Sequence, residues 1–148
     1  MIGADANSLT FDLNRIMGKT KANAANVAKA LALELEQRVV KMSPVDTGRL
    51  KGNWNVGINS PNLAEYPPDK TGAAPHARAL GALSKLKVGD AIWITNNLPY
   101  TPMLEYGLYG DGLKTINGYS RQAPHGFIRV TYQTVMSAFE NIARKVVK

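Results

Sequence analysis

The chain contains no cysteine and only two histidines, and no apolar run approaches the roughly 20 residues of a membrane-spanning helix. Absent cysteine excludes disulfide frameworks, cysteine–zinc sites and thiol nucleophiles, and it suits assembly in a reducing cytoplasm. His76 and His125 each follow a proline and lack a second histidine or carboxylate at ligand spacing, so a metal centre with three or four convergent ligands is not expected. Met1–Thr20 has no signal-peptide core. Neither a Gly-x-Ser-x-Gly elbow nor a zinc-protease helix occurs. Gly18-Lys19-Thr20 has the tail of a phosphate-binding loop, but Leu13 stands where that loop needs a glycine. These absences predict a soluble intracellular domain with no cofactor and no small-molecule substrate.

What is present is a 148-residue chain, 45% hydrophobic and 20% charged, which is enough for one globular domain with its own core. The net charge of +7 is spread thinly: 6 basic and 5 acidic residues in 1–48, then 6 and 3 in 49–90, and 6 and 3 in 91–148. No run of like charge or aromatic–basic interleaving marks a nucleic-acid reader, so only nonspecific proximity to double-stranded DNA is expected.

All 8 prolines and 11 of the 13 glycines lie between Met42 and Phe127. Two proline-free segments therefore flank a punctuated middle, predicting helix, then strands and turns, then helix. In the first segment Val27, Leu31, Leu35, Val39 and Met42 share a helical face with Ala24 and Ala28, while Leu33 and Val40 lie opposite, the pattern of a sandwiched helix. Arg38 interrupts the first stripe and is expected to lay its stem along the core edge. Periodicity weakens before Ala22, so residues 1–21 read as an arm or extra helical turn and 22–148 as the domain.

Leu50–Ser60 alternates as a half-buried strand, and Ala91–Asn96 does the same. Between them Ala77–Leu86 reads as a short helix with Leu80, Leu83 and Leu86 inward. Thr101 suits an N-cap, Pro102 the first helical position and Gly107 a left-handed end, which predicts a short helix at Met103–Tyr106. Leu108–Gln122 should be a loop or long hairpin. Pro124 should open the last helix, with Ile128, Val135, Phe139, Ile142 and Val146 inward; the alternative is an extended start over Phe127–Val135, whose β-branched and aromatic content is high. The fold class expected is α+β: a small antiparallel or mixed sheet with the N-terminal and C-terminal helices packed on one face.

Asp46-Thr47-Gly48 matches the catalytic tripeptide of aspartic proteases, whose chemistry needs two carboxylates sharing a proton. In those enzymes an apolar strand precedes the tripeptide, whereas Met42-Ser43-Pro44-Val45 follows a helix here. A structural turn, with Asp46 bonded to local amides and Gly48 at positive φ, is the better reading. Glu105 beside Tyr106 suits a cap or a subunit contact better than an acid catalyst. No residue set forms a catalytic constellation.

Three blocks resemble one family. Ser43-Pro44-Val45-Asp46-Thr47-Gly48-Arg49-Leu50 followed by Trp54 is similar to its signature. So are Asn96-Asn97-Leu98-Pro99-Tyr100 running into Leu104-Glu105-Tyr106-Gly107, and Ser120-Arg121-Gln122-Ala123-Pro124-His125-Gly126. The family is the neck or tail-completion group of long-tailed bacteriophages, related to the minor tail protein Z of phage lambda. The resemblance implies a non-enzymatic virion protein at the head–tail junction, made in the host cytoplasm and arranged as a ring around the DNA channel. Its implied partners are further copies of itself and neighbouring connector and tail proteins. Leu108–Tyr119 stands as an insertion relative to the family. Exposure and loop character nominate Arg49, Lys51, Tyr106, Tyr109, Lys114, Tyr119 and Arg121 as contact residues, together with the arm and the projecting loop at 108–121. Arms and loops that order on docking suit subunits that must stay soluble before assembly.

Overall fold

The computed structural model describes residues 3–4, 8–12 and 21–147. In chain order the elements are β1 (Gly3–Ala4), β2 (Ser8–Asp12), α1 (Lys21–Met42), α2 (Arg49–Gly52), β3 (Asn55–Ile58), α3 (Ala73–Leu83), β4 (Ala91–Thr95), α4 (Thr101–Tyr106), β5 (Thr115–Ile116), β6 (Tyr119–Ser120), α5 (Ile128–Ser137) and α6 (Phe139–Val147). The fold is α+β. Four strands form one antiparallel sheet in the order β1-β2-β4-β3, and β5 and β6 form a separate hairpin.

Alternation decides the faces of β3 and β4. Val56 opposes Ile94 and Ile58 opposes Ile92, and Val56, Ile92 and Ile94 are buried in the core. Asn55 opposes Thr95 on the other face. There the segment 59–66 supplies backbone partners: the Asn55 amide donates to the Ala64 carbonyl (2.9 Å) and the Thr95 hydroxyl to the Asn62 carbonyl (2.8 Å).

α1 is the spine of the core. Val27, Ala28, Leu31, Leu35 and Val39 are buried, as are Ala32 and Val40 on its flanks, so the helix is covered on two sides. It packs against α3, α5, α6 and β4. Arg38 stays near the surface, where its guanidinium pairs with Glu34 one turn back. Trp54 and Phe127 meet edge to face at 6.3 Å. The buried indole N–H donates to the Ser43 hydroxyl (2.8 Å), which donates to the Val39 carbonyl (2.6 Å). The Trp54 polar edge is thus satisfied inside the core.

Several expectations need correction. Residues 3–4 and 8–12 do not form an arm or a helical turn. They pair as strands, because Ser8–Asp12 alternates polar and apolar residues and finds the open edge of β4. The rest of the segment 1–21, apart from Lys21 at the start of α1, lies outside the described residues, as does the Gly18-Lys19-Thr20 motif. The strand expected from Leu50 begins only at Asn55. Gly48, at φ 89°, opens the one-turn helix α2 instead, and its carbonyl accepts from Gly52 N at 2.8 Å. α3 begins at Ala73 rather than Ala77 and buries Ala79 and Leu83, while Leu80 faces outward. The last helix starts at Ile128, beyond Pro124, and Ala138 divides it in two.

Candidate functional site

The three blocks that carry the family resemblance are far apart in sequence and tied together in space. Gln122 clamps Val45 from both sides: its carboxamide oxygen accepts from Val45 N and its NH₂ donates to the Val45 carbonyl, each at 2.8 Å. Asn96 donates to the Leu50 carbonyl (2.8 Å) and its amide oxygen accepts from the Thr101 hydroxyl (3.2 Å). Thr101 is therefore the first residue of α4 rather than its cap, and Tyr100 takes the N-cap place; Gly107 ends the helix at φ 65°.

Glu105 joins the second block to the start of α5, just beyond the third block. Its side chain is fully buried. One carboxylate oxygen accepts from the amides of Phe127 and Ile128, both at 2.8 Å. The other accepts from Arg129 N (3.0 Å) and from the Arg129 guanidinium (2.7 Å). This is a helix cap delivered from another element: a negative charge sits at the positive end of α5 and engages three of its unsatisfied donors. The same guanidinium donates to the Glu105 carbonyl (2.9 Å) and lies 4.6 Å over the Tyr106 ring. Glu105 thus serves as a cap.

Asp46-Thr47-Gly48 forms the turn before α2. The Thr47 hydroxyl accepts from Arg49 N (3.2 Å), and the Gly48 carbonyl also accepts from Asp69 N (2.9 Å). Asp46 bonds no local amide in this arrangement. It is exposed and faces the Lys114 ammonium at 3.3 Å rather than a second carboxylate.

The convergence leaves a groove of about 510 Å³. Pro44, Val45 and Leu50 of the first block, Tyr100 and Leu104 of the second, and Ser120 and Gln122 of the third line it. The inserted segment closes one lip with Tyr109, Lys114 and Thr115. That segment is a hairpin whose Asn117-Gly118 corner has positive φ at both residues (51° and 83°), the geometry of a type I′ turn. A second tight turn, Gly112 to Thr115, carries Leu113 and Lys114 at its corner. It is fixed by Thr115 N to the Gly112 carbonyl (3.3 Å) and by the Thr115 hydroxyl to the Gly110 carbonyl (2.6 Å). Leu113 is 98% exposed, and Leu108 and Ile116 are also exposed.

The nominated contact residues do not form one patch. Tyr109 and Lys114 stand at the groove. Tyr119 packs against Gly107, and Arg121 anchors the hairpin by its backbone N–H to the Lys114 carbonyl (3.0 Å) while its side chain is exposed. Tyr106 lies under Arg129. Arg49 pairs with Glu65 (2.6 Å) and lies 5.9 Å over the Tyr100 ring. Lys51 stands elsewhere, with Arg38 and Lys41, around a cleft of about 460 Å³ that no carboxylate lines.

Sequence reasoning missed a buried pair. Glu36 of α1 is 1% exposed, and its carboxylate meets His76 Nδ1 of α3 at 2.9 Å, while Oε1 has no partner. Burial pushes the Glu36 carboxyl above its ordinary range, against the opposing pull of His76 and Arg78. The signal was available: Leu33, Glu36 and Val40 share a helical face. Among the described residues no group of three potential metal ligands occurs, and no helix is long and apolar enough to cross a membrane. Comparison with known protein families, with curated proteins and with solved structures gives no match to this chain.

Proposed function

We propose that this chain is a structural protein of a tailed bacteriophage, acting at the head–tail junction through protein contacts, with copies arranged in a ring around the DNA channel. The observation that supports the reading is convergence. The three blocks similar to the neck and tail-completion group are hydrogen-bonded to one another, and together they line one groove beside a projecting hairpin. Polar side chains in those blocks serve the scaffold: Gln122 and Asn96 bond backbone groups of the first block, and Glu105 bonds the opening amides of α5 and Arg129. What the scaffold presents is an apolar surface, and apolar surface of this kind suits docking.

Electron microscopy of lysates from a phage with a nonsense codon in this gene tests the reading. Full heads beside normal-length, unattached tails are expected. Overlong tails would make the protein a tail terminator, empty or leaking heads a plug on the head side, and normal infectious particles would overturn the assignment. A second reading, attraction to duplex DNA, is favoured by the Arg38, Lys41 and Lys51 cleft. It predicts retention on DNA that is lost by about 0.2 M salt, and no retention at low salt would remove it.

A further inference from the structure

Two asparagines hold left-handed backbone, Asn59 at φ 64° and Asn117 at φ 51°, and their side chains are in opposite circumstances. The Asn59 carboxamide is tied at both ends: its NH₂ donates to Asp90 (2.9 Å) and its oxygen accepts from Ala91 N (2.9 Å). Asn117 is exposed at the hairpin corner, and none of the described residues bonds its carboxamide. The residue after it is Gly118, in the only Asn-Gly pair of the chain. The fold leaves no choice at 118. Its φ is 83°, and a Cβ there would collide with the Gly107 carbonyl oxygen. The tight turn thus requires, next to a free carboxamide, the one residue whose missing side chain leaves its own backbone nitrogen unshielded.

From this juxtaposition we infer that Asn117 is a site of spontaneous covalent modification, deamidation through a cyclic imide. The Gly118 backbone nitrogen attacks the Asn117 side-chain carbonyl carbon. A C–N bond forms, and the amide nitrogen departs as ammonia, taking the proton from Gly118 N. Water then opens the five-membered ring at either carbonyl, leaving an aspartyl or an isoaspartyl linkage at position 117. Nothing is oxidised or reduced, and water is the one co-reactant. Closure needs ψ at Asn117 to leave the left-handed region, so it waits for the turn to open. That opening is easy, since β5 and β6 are two residues each and a two-stranded hairpin is marginally stable by itself. The isoaspartyl product puts an extra carbon into the main chain at a two-residue corner, and the type I′ geometry is lost. The Gly118 carbonyl then releases Tyr109 N, which it holds at 3.1 Å, and with it the Tyr109 lip of the groove. This modification needs no partner and stands apart from the junction reading.

Incubation of the purified full chain in mildly alkaline buffer, followed by peptide mass mapping, tests it. The peptide that holds Asn117 should gain one dalton, with one ammonia released per chain, well before the peptide that holds Asn59. Urea should speed the gain at Asn117, because it removes the turn that delays closure. Freshly prepared Asn117→Asp tolerates the left-handed backbone, has no ammonia to lose and should gain nothing at that position. Hydrogen exchange reads the consequence. The Tyr109 amide should lose protection in the aged parent chain and keep it in fresh Asn117→Asp, whose main chain has no extra carbon. An Asn117 peptide of unchanged mass, or a gain at Asn59 that keeps pace with it, would overturn the modification. A gain no faster in urea would overturn the gating by the turn, and an aged chain with Tyr109 still protected would overturn the loosened lip.

Discussion

Glu36 and Glu105 are both buried on helices, yet they are held in opposite ways. Glu105 receives three backbone amides and the Arg129 guanidinium on its two oxygens. Glu36 has one histidine contact and an oxygen with no partner, and burial raises its pKa. Burial depth is equal, so it does not decide how firmly a carboxylate is held. The donors within reach decide it. The first glutamate is a fastener between α4 and α5; the second is a weak point between α1 and α3.

Breaking the fastener should have the largest effect. Glu105→Gln leaves Arg129 and the first amides of α5 short of a counter-charge in a dry site, and should cost about 3–5 kcal/mol in urea unfolding. The weak point should respond with the other sign. Glu36→Gln keeps the shape and removes a charge that the site disfavours, so a gain of about 1–2 kcal/mol at neutral pH is expected. Because the folded-state pKa of Glu36 lies above 4.5, its contribution is complete below that pH and is lost as pH rises through the raised value. The stability difference between Glu36→Gln and the parent chain should therefore grow with pH above 4.5. A difference that is flat with pH would mean that the His76 contact offsets the burial of the Glu36 carboxylate.

A third carboxylate sharpens the comparison from the surface. Asp69 accepts from the Thr71 hydroxyl (2.6 Å), from Ala74 N (2.8 Å) and from Thr71 N (2.7 Å), and these bonds, the hydroxyl first, hold its pKa at about 2. Its contribution is complete above its ordinary 3.8 and fades as pH falls toward 2. Asp69→Asn should cost about 1 kcal/mol at neutral pH, a typical capping value. The smallest effect belongs to the hairpin. Replacing Leu108–Tyr119 by two glycines should shift stability by no more than about 0.5 kcal/mol, since its exposed residues add little to the core, while infectious particles fall sharply in number. A fully infectious phage with that deletion would remove the hairpin from the junction.

Legibility from sequence followed interaction range. The stripe on α1, the left-handed stop of α4 at Gly107 and the alternation of β4 are local patterns, and the structure has them, whereas α4 starts at Thr101 itself. Glu105 read as a cap or a contact, but no local rule names a helix 23 positions onward as the one it caps. The misplaced start of β3 has a specific cause. Leu50, Gly52 and Trp54 alternate by coincidence, two of them on a helical turn that the left-handed Gly48 starts. Ser8–Asp12 carried a genuine alternation that was too short to outweigh the weak periodicity around it. In the candidate site the blocks were visible as motifs, whereas the groove they enclose depends on the Val45–Gln122 clamp, a contact across 77 positions.

The sheet register also sets a timetable for synthesis. β2 pairs through Ser8↔Thr95 and Asp12↔Ala91, and β3 pairs with the same central strand. Until β4 has left the ribosome neither neighbour has its central partner, and of the helices that cover α1 in the fold α5 and α6 are still missing. At about 5–20 residues per second, that interval lasts several seconds. A nascent chain exposed for so long is a natural client for a chaperone that holds apolar helices, and slowing translation before codon 91 should lower the yield of folded protein.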